Sequence, residues 1–138
     1  MLCNSKYFRN NIGILAVLYL AVILAIMFFA DIGWANRLWG FMRGVPLYDK
    51  FGHFFLVGIL ALLVDAGLKF RTFRFSGLNY RLGSICVFVF VLLEECSQFF
   101  FSTRDCSSGD LLADIAGIFV FAFLLPSLFS TPKQEKQS

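Results

Sequence analysis

Charged residues are scarce in this chain of 138 residues, and their scarcity excludes a water-soluble globular domain. They make up 15% of the sequence, whereas hydrophobic residues make up 59% and the mean hydropathy is +0.76. Soluble domains carry about 25% charged residues, so a hydrated surface could not be built from this composition. The composition therefore predicts an integral membrane protein, and the length suits one compact domain over residues 1–138.

Histidine and closely paired cysteines are also nearly absent. The chain has one histidine, His53, and its four cysteines form no C-x-x-C pair. A structural zinc site needs four nitrogen or sulfur ligands at short spacing. We therefore expect no metal and no cofactor. We attribute the net charge of +3 to Lys and Arg on the cytoplasmic side of a membrane, and we expect no nucleic-acid partner.

Four apolar segments approach the roughly 20 residues that a membrane-spanning helix needs. They cover residues 12–30, 51–68, 82–101 and 111–129, and a polar tail follows at 130–138. The first segment is too long for the apolar core of a signal peptide, so we expect a retained helix. Residues 31–48 fit either a short interfacial helix or an irregular loop with tryptophans at headgroup depth. The pattern predicts an all-α fold, a compact bundle of four transmembrane helices.

The distribution of Lys and Arg predicts the orientation of this bundle. The N-terminal segment, the second loop and the tail carry two, four and two basic residues, against three and one in the first and third loops. Basic residues concentrate on the cytoplasmic side of membrane proteins. Both termini are therefore expected in the cytoplasm, in a multi-pass protein of the membrane.

Polar side chains recur at helical spacing toward one end of three predicted spans, the extracytoplasmic end in this orientation. Two residues four positions apart share a helix face, and this holds for three pairs: Asp49 and His53, Glu94 and Gln98, Asp110 and Asp114. Ionisable groups in a membrane face one another or a wet cavity because lipid cannot solvate them. We therefore expect the three faces to converge on a binding pocket, with Lys50 and Arg104 as counter-cations.

Such a pocket could carry acid–base chemistry, with Glu94 and His53 as the catalytic pair. An alternative is that Glu94, Glu95 and Gln98 only hold the bundle together by interhelical hydrogen bonds. Glu95 points about 100° away from Glu94 and is expected to be structural. Asp49 could equally cap its helix, and Asp65 is expected to pair locally with Lys69.

The same residues resemble the motifs of the VanZ-like family of small membrane proteins. The resemblance extends from about residue 49 to residue 121, through Asp49-Lys50-x-x-His53, Glu94-Glu95-x-x-Gln98, Arg104 and Asp110-x-x-x-Asp114-x-x-Gly117. The chain departs from the family pattern at Asp114, where Asn is usual, and at Phe121, where a glycine is often found. The family is named after a member associated with teicoplanin resistance, so the resemblance implies a role in the bacterial cell envelope and a location in the inner membrane.

Three functions are consistent with the sequence. The first is an enzyme that acts on a lipid-linked or glycopeptide-related envelope molecule, whose anionic head group Lys50 and Arg104 would hold. The second is a module that binds or transports an ion or a lipid, and the third is a structural or interaction subunit without catalysis. Membrane lipids are the expected partners in each case, and the oligomeric state is left open.

Overall fold

The computed structural model describes residues 3–32, 34, 47–98 and 107–125, and this part of the chain is mostly helical. Helix α1 covers Cys3–Asp31, α2 covers Tyr48–Gly67, α3 covers Leu82–Gln98 and α4 covers Ser108–Phe119, continued by a π-helical turn at Val120–Leu124. Between α2 and α3 lie two short strands, β1 at Thr72–Phe75 and β2 at Leu78–Arg81. The predicted interfacial helix and the polar tail fall almost wholly outside the described residues.

Two of these helices are long and apolar enough to cross a membrane. Among the described residues, they are Asn11–Ala30 within α1, with a mean hydropathy of 2.9, and α2, with a mean hydropathy of 1.6. Large apolar side chains of α1 point away from the rest of the described chain, and Val17 is 66% exposed. A surface of this kind is compatible with lipid and costly in water. The described residues thus contain two helices that could cross a membrane, against the four spans expected.

Helix α2 is the central helix, because it packs against each of the other three. The start of α3 lies against the end of α2, so these two helices run antiparallel. In contrast, successive contacts along α2 and α4 advance in the same direction, from Lys50 with Asp110 to Gly58 with Phe121. These helices are therefore parallel, and their N-termini lie at the same end of the bundle. The apolar core between the helices is formed by Ile23, Val57, Leu60, Ala61, Val87, Val91, Ile118 and Ala122.

Two glycines allow α2 and α4 to approach closely. A methyl group added at Gly117 would overlap the backbone carbonyl of Phe54, and one added at Gly58 would lie 2.9 Å from the carbonyl oxygen of Gly117 and still closer to the ring of Phe121. Small residues let helix backbones come together in membrane proteins. This contact sets the spacing at which polar side chains at the helix N-termini meet.

The strands form an antiparallel hairpin where the sequence had predicted only a loop. Strict all-α architecture is therefore wrong for residues 72–81. The physical reason is local: apolar residues alternate with polar ones on both sides of Ser76-Gly77, and both turn residues have positive φ, at 50° and 83°. A two-residue turn with positive φ at both positions matches the twist of a hairpin.

Candidate functional site

The only histidine of the chain is held by a buried carboxylate on the neighbouring helix. His53 Nδ1 lies 3.1 and 3.2 Å from the two carboxylate oxygens of Asp114. The side chain of Asp114 is 1% exposed and that of His53 is 19% exposed. A carboxylate accepts hydrogen bonds only, so Nδ1 must carry the proton and Nε2 is the ring atom left for another partner.

A second polar contact joins the same two helices one turn closer to their N-termini. Lys50 Nζ donates to Asp110 Oδ1 at 2.8 Å, and the two side chains are 38% and 10% exposed. Asp49 lies in the same turn of α2 and is exposed. It does not cap the helix, because α2 begins at Tyr48 and Asp49 lies within the first turn. Its carboxylate is favourable there, beside the positive end of the helix dipole.

Three side chains at this end carry atoms that could ligate a cation. One ligand atom from each of Asp49, His53 and Asp110 lies within 4.8 Å of the other two. Carboxylate oxygen and imidazole nitrogen are donors that divalent transition metals accept. The ammonium group of Lys50 already supplies positive charge to Asp110 in this arrangement. One of the two carboxylates in this group is therefore already paired with a cationic side chain.

Glu94 and Gln98 lie at the same end of the bundle, on α3. Gln98 Nε2 is 2.9 Å from each carboxylate oxygen of Glu94, and Gln98 is 3% exposed. The start of α3 lies at the level of Asp65 on α2, and the two helices run antiparallel. Both helices rise about 1.5 Å per residue, so Gln98 lies at about the level of Lys50. The three polar faces predicted from the sequence therefore lie at about the same level, toward one end of the fold.

The partner of His53 on α4 is Asp114, and the carboxylates of Asp114, Asp110 and Asp49 all act on its charge. The close parallel contact of α2 and α4 brings these polar faces together. The catalytic roles expected for Glu94 and His53 stay a prediction. Arg104 lies outside the described residues. Glu95 is 5% exposed and faces the interior.

A further polar contact, missed by the sequence analysis, lies at the opposite end of α2. Asp65 is fully buried and accepts from the backbone N–H of Ser84 at 3.1 Å and from its hydroxyl at 2.6 Å. The predicted pair of Asp65 with Lys69 is wrong. Helix α2 ends at Gly67, and Lys69 has a φ of 59°, so the chain turns away before Lys69 can complete a helical pair. Asp65 instead accepts a hydrogen bond from the first turn of α3, where backbone N–H groups have no partner within the helix.

We place the candidate site at the N-terminal ends of α2 and α4, around His53. It consists of residues that the sequence had singled out, namely Asp49, Lys50, His53, Asp110 and Asp114, with Glu94 and Gln98 at the same level on α3. Comparison of the chain with protein-family models, curated proteins and solved structures gave no match.

Proposed function

We propose that this chain is a VanZ-like integral membrane protein of the bacterial inner membrane, and that its polar cluster binds or acts on an anionic, lipid-linked envelope molecule. In this proposal all four helices span the membrane, both termini lie in the cytoplasm, and the cluster faces the outer leaflet. The family assignment is supported by the motifs around His53, Glu94, Arg104 and Asp110. The location is supported by the apolar, exposed surfaces of α1 and α2.

One observation favours a functional cluster most strongly: His53 is oriented through Nδ1 by a buried carboxylate. A histidine held in this way presents Nε2 in a defined direction, the geometry required of a group that exchanges a proton with a bound molecule. Asp114 is then a positioning residue. Lys50, whose side chain is 38% exposed, can reach an anionic group while it remains close to Asp110. Arg104 is proposed as a second cation at the same site.

An apolar groove on α3 and α4 suits a ligand with a hydrocarbon tail. It is lined by Phe88, Ile115, Ile118, Phe119 and Phe123, from α3, α4 and the π-helical turn. Ile115 follows Asp114 in the chain, and successive residues of a helix point about 100° apart, so the groove lies on a face of α4 next to the one that carries Asp114. A head group at Lys50 and a tail in this groove would together describe an amphipathic ligand.

The contacts between helices also favour a second candidate, a structural subunit without catalysis. Both the Lys50–Asp110 and the His53–Asp114 contacts join α2 to α4, at the glycine-mediated helix crossing. Interhelical hydrogen bonds of this type stabilise membrane bundles. The two candidates differ in what loss of the cluster changes: ligand binding in the first case, and only stability in the second.

The experiment uses the purified full-length chain in lipid nanodiscs, with a long-chain isoprenyl phosphate as the probe. The isoprenol of the same length serves as the uncharged control ligand. Binding is measured by native mass spectrometry for the wild type, for Lys50→Met and for Phe51→Leu. Phe51 lies in the same helical turn and is 58% exposed, so its replacement controls for changes at the surface.

We expect the wild type to prefer the phosphate and Lys50→Met to bind it about tenfold more weakly, which corresponds to about 1.4 kcal/mol. Phe51→Leu should bind as the wild type does. Equal binding of phosphate and alcohol, unchanged by Lys50→Met, would overturn the proposal. If Lys50→Met then lowered only the melting temperature, the structural candidate would be favoured.

A further inference from the structure

The hairpin between α2 and α3 has one apolar face and one polar face. In its register Phe73 lies opposite Tyr80 and Phe75 opposite Leu78, whereas Arg74 lies opposite Asn79. Directly opposed residues share one face of a two-stranded sheet, and successive residues alternate between faces. A continuous apolar face is therefore formed by Phe73, Phe75, Leu78 and Tyr80. The other face is polar and basic.

The rest of the described chain does not cover this apolar face. Phe75 and Leu78 are 64% and 61% exposed, and Phe73 and Tyr80 are 45% and 36% exposed. The rings of Phe73 and Phe75 stack on each other, with centroids 6.0 Å apart. A two-stranded hairpin is marginally stable by itself in water and needs a hydrophobic surface against which to pack. Some apolar surface outside the described chain is therefore required.

The charge of the segment indicates which surface this is. Residues 69–81 contain four basic residues and no acidic residue. Lys69, Arg71 and Arg74 are exposed, and Arg81 lies over the rings of Phe70 and Phe123. Lys and Arg beside exposed aromatic rings are the composition of segments that lie at an anionic bilayer surface, with the rings at the headgroup boundary and the cations on phosphates.

The position of the hairpin in the chain is consistent with contact to a bilayer surface. It begins five residues after α2 ends at Gly67, and α2 is one of the two helices that are apolar enough to cross a membrane. A segment that follows the end of a membrane span directly must start at the membrane surface. In the orientation proposed above, this is the cytoplasmic surface, where anionic lipids attract basic segments.

We infer that the β1–β2 hairpin is an interfacial lipid-binding element. The apolar face of the hairpin enters the headgroup boundary; it consists of Phe73, Phe75, Leu78 and Tyr80. The basic residues of the hairpin contact the phosphates of anionic lipids. This inference depends on the membrane location in the proposed function and is independent of the ligand of the polar cluster.

The test measures the depth of spin labels on the full-length chain, after replacement of its four native cysteines by serine. Single labels are attached at Phe75→Cys on the apolar face, at Asn79→Cys on the polar face and at Val17→Cys on α1. Each variant is reconstituted in vesicles of phosphatidylcholine, with and without phosphatidylglycerol. Power saturation then gives the accessibility of each label to oxygen, which concentrates in lipid, and to a water-soluble nickel chelate.

In anionic vesicles we expect the oxygen-to-nickel ratio at position 75 to exceed that at position 79 several-fold. The ratio at 75 should fall when phosphatidylglycerol is omitted, because the basic residues then lose their counter-charges. Equal oxygen-to-nickel ratios at positions 75 and 79 would overturn the inference. So would a ratio at position 75 that is the same with and without phosphatidylglycerol. A label at 75 shielded from both reagents would indicate a protein partner or a second copy instead, which also contradicts it.

The label at position 17 separates the two proposals. Val17 is exposed on the apolar helix α1, so its label should favour oxygen if that helix lies in the bilayer. If position 17 favours oxygen and position 75 does not, only the hairpin assignment fails. If position 17 favours nickel, the membrane location fails and the hairpin assignment fails with it.

Discussion

The contact between His53 and Asp114 predicts a strong energetic coupling between α2 and α4. We consider His53→Ala, Asp114→Ala and the double substitution. His53→Ala leaves a carboxylate that is 1% exposed without its hydrogen-bond donor. Breaking a buried pair by removal of one partner typically costs about 3–5 kcal/mol. Asp114→Ala should cost less, because His53 is 19% exposed and water can reach its ring.

The size of the coupling energy shows whether this contact is stronger than a typical interhelical hydrogen bond in a membrane protein. Interhelical hydrogen bonds between neutral groups in membranes contribute about 0.6 kcal/mol on average and at most about 1.7. A hydrogen bond to a charged group contributes about 1.5–3 kcal/mol. Two oxygens lie within 3.2 Å of Nδ1, so we expect the double substitution to be less destabilising than the sum of the singles by about 2 kcal/mol.

The assay is reversible unfolding in mixed detergent micelles, followed by far-UV circular dichroism. Phe51→Ala serves as a control, because this exposed side chain of α2 should contribute little in detergent. Asp114→Asn keeps an acceptor oxygen for Nδ1 and should lose less stability than Asp114→Ala. Additive effects of the two single substitutions, with a coupling below about 0.5 kcal/mol, would refute the contact between His53 and Asp114.

Two further predictions concern packing and the buried cap at the other end of α2. Gly58→Ala should destabilise the chain by about 1–3 kcal/mol, because the added methyl group meets Phe121. Gly52→Ala, whose added methyl group has no atom within 4 Å, should not lower the melting temperature, because alanine favours a helix more than glycine does. Equal melting temperatures for the two alanine variants would contradict the close helix crossing. Asp65→Ala should cost about 3 kcal/mol in the same unfolding assay, and Ser84→Ala about half as much, because it removes only the hydroxyl bond. A larger loss for Ser84→Ala than for Asp65→Ala would show that the cap is misassigned.

The positions of the polar residues were more predictable than their partners. A spacing of four residues places two side chains on the same helix face, and this follows from helix geometry alone. It placed His53 with Asp49 on α2, and Asp114 with Asp110 on α4. Which faces meet depends on how closely two helices approach. That distance is set by Gly58 and Gly117, and their role requires knowledge of which helices are neighbours. The sequence analysis therefore did not predict the contact between His53 and Asp114.

The errors outside the site have local causes. Asp65 and Lys69 have the spacing of a helical pair, but α2 ends at Gly67 and the backbone reverses at Lys69. A sequence pattern shows spacing without showing where a helix stops. The hairpin was overlooked because strands of four residues give only a weak alternation. The Ser76-Gly77 pair was the available signal, since Gly favours positive φ in tight turns.

The central claim is that the polar cluster around His53 acts on an envelope molecule. The most direct test is mass spectrometry of envelope lipids and glycans in four strains: a deletion, a wild-type rescue, a His53→Gln rescue and a Glu94→Gln rescue, all matched for protein level. We expect one anionic lipid-linked species to change in the deletion and in the His53→Gln strain, and to return to normal with the wild type. The Glu94→Gln strain shows whether the acid on α3 acts with His53 or only supports Gln98. Full rescue by both variants, at equal protein level, would contradict the account and leave the cluster as a structural contact between helices.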